Sequence, residues 1–202
     1  MVDSRLLSKA EHTSQPWRIH EITKDFRLLD VWALPTPGGP DDFPRLVRLM
    51  QSFDPGQSSI VVRGLFAIRF TLGRLLRLDR PETGLGARVP SLRERLPDEL
   101  LAATTNADFG AFTPLYVTDK ELALETANQT VHGVLHIGWV GDERGRYRGQ
   151  MAILVKPNGL LGEMYLAAIA PFRHLIVYPL MMRDIAAAWR ERDDRQTNLR
   201  RP

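Results

Sequence analysis

The chain contains no cysteine, so disulfides, thiolate metal sites and cysteine nucleophiles are excluded. It also has little net charge. Twenty-seven Lys and Arg against 24 Asp and Glu leave +3 at pH 7, too small an excess to argue by itself for nucleic acid as a specific partner. No unbroken apolar run of spanning length is present: the most apolar stretch, Gly159 to Arg192, holds Glu163, Arg173, His174 and two prolines, and uncovered charge in hydrocarbon is costly. No transmembrane segment is therefore expected. Residues 1–16 lack the continuous apolar core of a signal peptide, which points to a cytoplasmic protein. There is no GxSxG elbow, no phosphate-binding P-loop and no GxGxxG after a strand, so no catalytic residue, metal or cofactor is assigned.

What is present is a pattern of strands leading into one long helix. At 202 residues the chain fits a single domain able to bury a sizeable core. Phe112 to Thr118, Glu121 to Asn128, Thr130 to Val140 and Tyr147 to Pro157 read as strands, and the polar link Gly141 to Gly145 suits a hairpin. From Gly159 onward, Met164, Ala167, Ala168, Phe172, Leu175, Ile176, Met182, Ile185 and Trp189 recur at three- and four-residue steps, which predicts a helix with one apolar face. Pro171 and Pro179 each remove an amide donor and crowd the carbonyl four residues back. The expectation is one bent helix, or two abutting ones, broken near Ala170.

The first half is less regular. Residues 1–16 read as a flexible lead-in, 17–192 as the domain and 193–202 as a flexible tail. Trp17 to Ile22 alternates weakly as a strand, and Asp30 to Leu34 forms a second one stopped by the run Pro35 to Pro40. Helices are expected from about Phe43 to Met50 and from Ser58 or Ser59 to Leu78. The latter sets Arg63, Arg74 and Arg77 opposite an apolar face containing Leu65 and Leu72. Asp79 to Gly110 is an irregular connection with a helical patch at Ser91 to Leu96, either a lid or a loop wrapped over the body.

An antiparallel meander handing its chain to a long helix is an α+β plan, and it suggests a curved sheet gripping a proline-bent helix with extra helices after the second strand. The segments VWALPTPGGPDDFPRL, RVPSLRERLP, FTPLYVTD, TVHGVLHIGWV, YRGQMAILVKPNGLLG and APFRHLIVYP resemble an uncharacterised actinobacterial domain-of-unknown-function family, DUF2867. That family is similar to the START-like (SRPBCC) and birch-pollen-allergen-like helix-grip proteins. The resemblance implies a helix-grip fold and a hydrophobic ligand, and it supplies no catalytic residues.

Several residues are candidates for chemistry. His132 and His136 sit four apart on a strand, roughly 13 Å, too far for both to ligate one ion. Arg173 and His174 interrupt the most apolar helix and offer a cationic contact to the head of an amphipathic ligand, with Tyr165 and Tyr178 nearby. The plainer alternative is that Arg173 pairs with Glu163 or Glu125. Trp32, Tyr116, Trp139 and Tyr165 have apolar bodies and polar tips suited to pocket walls, or to plain core. Glu121 and Glu125 share one side of a strand and read most simply as charge on an exposed face. Three functions fit these residues. The first is binding of a hydrophobic or amphipathic small molecule or lipid at Trp32, Tyr116, Trp139, Tyr165, Arg173 and His174. The second is cyclase- or hydrolase-type chemistry in the same pocket, and the third an interaction module built on the Arg63, Arg74 and Arg77 face.

Overall fold

The structure, a computed structural model, describes residues 5–52, 85 and 89–199. The four strands expected in the second half are present as β2 (Thr113–Val117), β3 (Glu121–Ala127), β4 (Val131–Gly141) and β5 (Tyr147–Pro157). Each is antiparallel to the next. β1 (Arg27–Ala33) pairs antiparallel with β5, so the order across the sheet is β1-β5-β4-β3-β2. The protein is thus α+β, with an open five-stranded antiparallel sheet and a long C-terminal helix. Between β4 and β5 the turn is closed by Gly145 at φ 71°, a backbone region open to glycine at no steric cost, while Asp142 accepts from the amides of Arg144 and Arg146.

Side-chain alternation divides the sheet into two faces. Leu122, Leu124, Leu135, Ile137, Trp139, Met151 and Ile153 point to the helical side, where they meet α3 (Phe43–Ser52) and the C-terminal helix. Ala123, Val134, Ala152 and Leu154 point the other way, joining Leu7, Trp17, Ile19, Ile22, Leu92, Leu96 and Leu100. That second core begins ahead of Trp17. The Leu7 amide bonds the Val31 carbonyl at 2.8 Å, the Ala33 amide bonds the Arg5 carbonyl at 2.9 Å, and α1 (Ala10–Thr13) buries His12 completely.

Trp17 to Ile22, expected as a strand, instead contains the short helix α2 (Ile19–Ile22). Ile19 and Ile22 are three apart and buried at 0% and 3% exposure, a spacing that puts both on one face of a helical turn but on opposite faces of a strand. Thr23 closes the turn by donating its hydroxyl to the Ile19 carbonyl at 2.7 Å. The connection before β2 carries a 3-10 turn (Leu92–Arg95) and α4 (Asp98–Ala102). Its buried Leu92, Leu96 and Leu100 wrap this part over the sheet. The helix expected at Ser58 to Leu78, with its arginine face, lies outside the described residues.

The C-terminal helix is continuous but changes gauge. α5 (Gly159–Phe172) leads through a π-helical turn (Arg173–Val177) into α6 (Tyr178–Leu199). The break expected near Ala170 therefore falls a turn later. Pro179 lacks an amide and would crowd the Leu175 carbonyl, and the wider turn relieves that clash. Only the later half packs as predicted: Met182, Ile185 and Trp189 are buried, with Tyr178 beside them, whereas Leu160, Leu161, Met164, Phe172 and Leu175 are 50–77% exposed. Arg45 of α3 lies 3.8 Å over the Trp189 ring and donates to the Trp189 carbonyl.

α5 leaves the sheet at a tight contact. A Cβ on Gly162 would stand 2.1 Å from the Thr130 carbonyl oxygen, which is backbone and cannot rotate away. Gly162→Ala is expected to destabilise the protein by about 1–3 kcal/mol through overpacking. Urea unfolding reads this loss, and an unchanged midpoint would mean that α5 is not seated against Thr130.

Candidate functional site

A β-bulge creates the first cluster. In a regular strand Leu28 and Asp30 would share a face, but the register of β1 shifts between them: Leu28 pairs with Leu154 and Asp30 with Ile153. The extra residue turns Leu28 to the side away from the helix and Asp30 toward it. There Asp30, 6% exposed, accepts from the Tyr178 hydroxyl at 2.9 Å and from Arg173 Nη2 at 3.0 Å, with His174 Nε2 at 3.1 Å. Burial and the neighbouring carboxylate push the Tyr178 hydroxyl far above its ordinary pKa, so it stays a donor. Trp32, two residues beyond Asp30, sets its ring at a tilt 4.9 Å from Tyr178 and 6.3 Å from His174.

Two donors in this cluster, Trp32 Nε1 and Arg173 Nε, are buried and have no partner among the described residues. A buried donor left unmade costs about 1–3 kcal/mol. His174 is one-third exposed, so the cluster reaches water at that edge, beside the exposed Phe172 and Leu175. By length and composition alone, the helical run Gly159–Glu191 is apolar enough to cross a membrane, and only 11% of its apolar window is buried. Two of its charges are tied to β1: Glu163 to Arg27 at 3.0 Å and Arg173 to Asp30.

Trp32, Arg173 and His174 thus come together, joined by Asp30 and Tyr178. The partner of Arg173 is Asp30 rather than Glu163 or Glu125. The other predicted wall residues lie elsewhere. Trp139 is core, donating Nε1 to the Gly39 carbonyl at 2.9 Å among Phe43, Tyr147 and Trp189. Tyr116 lies under the opposite face, and Tyr165 is half-buried on α5. Asp30 escaped the sequence reading because nothing in the chain marks the bulge that reorients it.

The opposite face holds a second cluster and a correction. Glu121 and Glu125, expected on an exposed surface, are buried at 5% and 0% exposure. Glu125 accepts from Ser91 Oγ, from the Leu92 amide at 3.0 Å and from His132 Nε2 at 3.0 Å. Glu121 accepts from the Arg18 amide at 3.0 Å, the Tyr116 hydroxyl at 3.0 Å and His136 Nε2 at 3.1 Å. Burial alone would raise both carboxyl pKa values, but the hydrogen bonds from the histidines and the other donors outweigh it and hold both below the ordinary range. A signal was available in the sequence. The glutamates and the histidines repeat the same four-residue spacing on consecutive antiparallel strands, which sets each Glu diagonally across from a His.

From His136 the bonding continues outward. Its Nδ1 lies 3.1 Å from His12 Nε2, and His12 Nδ1 lies 3.2 Å from His20 Nε2. Burial, with His136 and His20 alongside, pushes the His12 imidazole down to about 3. Burial lowers His20 as well, aided by His136. The chain ends at an open cleft of about 210 Å³ lined by His12, His20, Lys24, Phe26, Leu28 and Leu154, among others. Among the described residues no group of three or more His, Asp or Glu side chains is arranged to hold a metal ion.

A family model described as protein of unknown function (DUF2867) matches residues 22–180, most of the chain. No curated protein and no solved structure matches it.

Proposed function

The chain belongs to the DUF2867 family of proteins of unknown function, and we propose that it binds an amphipathic small molecule at the C-terminal helix. The apolar body lies along the outer side of α5 and the π turn, and an acceptor-bearing head meets Arg173, His174 and Trp32. The observation that carries this reading is the pair of buried, unpartnered donors, Trp32 Nε1 and Arg173 Nε, next to large apolar side chains left in water. Contiguous exposed apolar surface marks a binding face, and a few fixed polar groups beside an apolar wall are how pockets orient their ligands. A helix-grip architecture is part of the same reading, supported by β1 lying beside β5 and by the C-terminal helix packing on one face of the sheet. Acid/base chemistry at His174 has less in its favour, because its partner Asp30 already accepts from Tyr178 and Arg173.

The test is titration with dansyl-labelled undecanoic acid. Saturable fluorescence enhancement is expected, weakened roughly tenfold or more in Arg173→Ala, which removes a charge-assisted hydrogen bond. Leu175→Glu, on the exposed strip, should abolish binding without changing the melting temperature. Absence of saturable binding, or native affinity in both variants, would overturn the proposal. Binding to anionic vesicles without binding of the free acid would replace it with a membrane-surface function.

A further inference from the structure

The second cluster has a direction built into it. An ionised carboxylate only accepts, so Glu121 fixes His136 as the tautomer carrying its proton on Nε2. His136 Nδ1 is then an acceptor, which assigns the proton between the next two rings to His12 Nε2. His12 Nδ1 accepts in turn, and the last proton belongs to His20 Nε2. Each neutral ring donates inward and accepts from outside. The last ring, His20, lines the cleft, and its Nδ1 makes no hydrogen bond among the described residues.

We infer that this cleft is a binding site for a small, single-ring weak acid such as a phenol, which gives its proton to His20 and remains in the cleft as the anion. The step is balanced. The O–H bond of the ligand breaks and a bond from hydrogen to His20 Nδ1 forms. His20 passes its Nε2 proton to His12 Nδ1, and His12 passes its own Nε2 proton to His136 Nδ1. The positive charge comes to rest on His136 against Glu121, and the negative charge stays on the ligand oxygen, with Lys24 at the cleft to face it. No oxidant or second substrate is required. The size fits the class, because about 210 Å³ is below the roughly 300–1,000 Å³ of pockets for larger ligands, and Phe26, Leu28 and Leu154 supply apolar walls for one ring. Burial keeps the His12 and His20 rings neutral, so neither holds the transferred charge and both only pass the proton on toward His136. His20 is the group that touches the ligand. His12, His136 and Glu121 act through it and are positioning residues. This inference is independent of the amphiphile site, which lies across the sheet.

para-Nitrophenol is the probe, because its anion is yellow and its neutral form is not. On mixing at a fixed pH slightly below neutrality, saturable binding with a several-fold rise in the bound yellow form is expected. His20→Asn, at a half-exposed position that leaves the core untouched, should lose the colour change. His12→Phe should also lose the colour although His20 is intact, because the wire is cut behind it. Nitrogen-15 spectra of the three imidazoles should show Nε2–H tautomers in the free protein. No saturable binding, the colour change surviving in His20→Asn or His12→Phe, or Nδ1–H tautomers at His12 and His136 would each overturn the inference.

Discussion

Glu125→Ala is expected to cost about 3–5 kcal/mol of folding stability, since each buried donor left without its acceptor costs about 1–3 kcal/mol. Glu125 is fully buried, and its loss strands three donors at once: Ser91 Oγ, the Leu92 amide and His132 Nε2. Stabilities of whole domains are about 5–15 kcal/mol, so this substitution alone approaches the threshold of unfolding. Glu125 is also the tie between β3 and the segment wrapped over it, which begins at Ser91 and carries Leu92, Leu96 and Leu100 into the core. Hydrogen exchange should therefore rise first in residues 91–102. Glu125→Gln keeps an acceptor and the shape, and should recover part of the loss. Urea unfolding decides the matter: a decrease under about 1 kcal/mol would mean that water replaces the carboxylate without strain.

Stability is also expected to fall by about 2 kcal/mol between pH 8 and pH 5. The cause is His12, whose imidazole ordinarily titrates at 6.5 and in the folded protein at about 3. Above 6.5 the ring is neutral in both states and costs nothing. As pH falls through 6.5 the unfolded chain takes up a proton that the folded chain refuses, and each such proton lowers stability by about 1.4 kcal/mol per pH unit. The loss continues toward pH 3, and His20, lowered in the same direction, adds to it. Below about 4.5 Glu121 and Glu125 join with the same sign, because their folded pKa values are depressed and their contribution, complete above the unfolded value of 4.5, is lost as pH falls. His12→Gln should flatten the slope between pH 6.5 and 5. A variant with the native slope would show that His12 is not the titrating group.

Much of the framework was legible in the chain because local repeats record it. Two-residue alternation in Val131 to Val140 and the adjoining runs gave the strands, and the three- and four-residue steps from Met164 to Trp189 gave the helix. The reading failed where a run was too short to fix its period, as Trp17 to Ile22 is, and where burial had to be guessed. Glu121 and Glu125 look like surface charge on one strand alone. Only beside His132 and His136 do they become interior residues.

The candidate site divides along the same line. Arg173 and His174 stood out as charges in an apolar helix, and the sequence by itself determined that they needed a partner. Which partner it was depended on a one-residue bulge in β1, about 140 residues away, that turns Asp30 from one face to the other. The alternation of apolar side chains, the proline positions and the absence of cysteine are properties of neighbouring residues, so the chain determines them alone. The histidine chain, the Asp30 cluster and the exposed strip on α5 arise from contacts between segments distant in sequence. Only the tertiary structure decided those, because strand register and helix seating set which polar groups are taken out of water together.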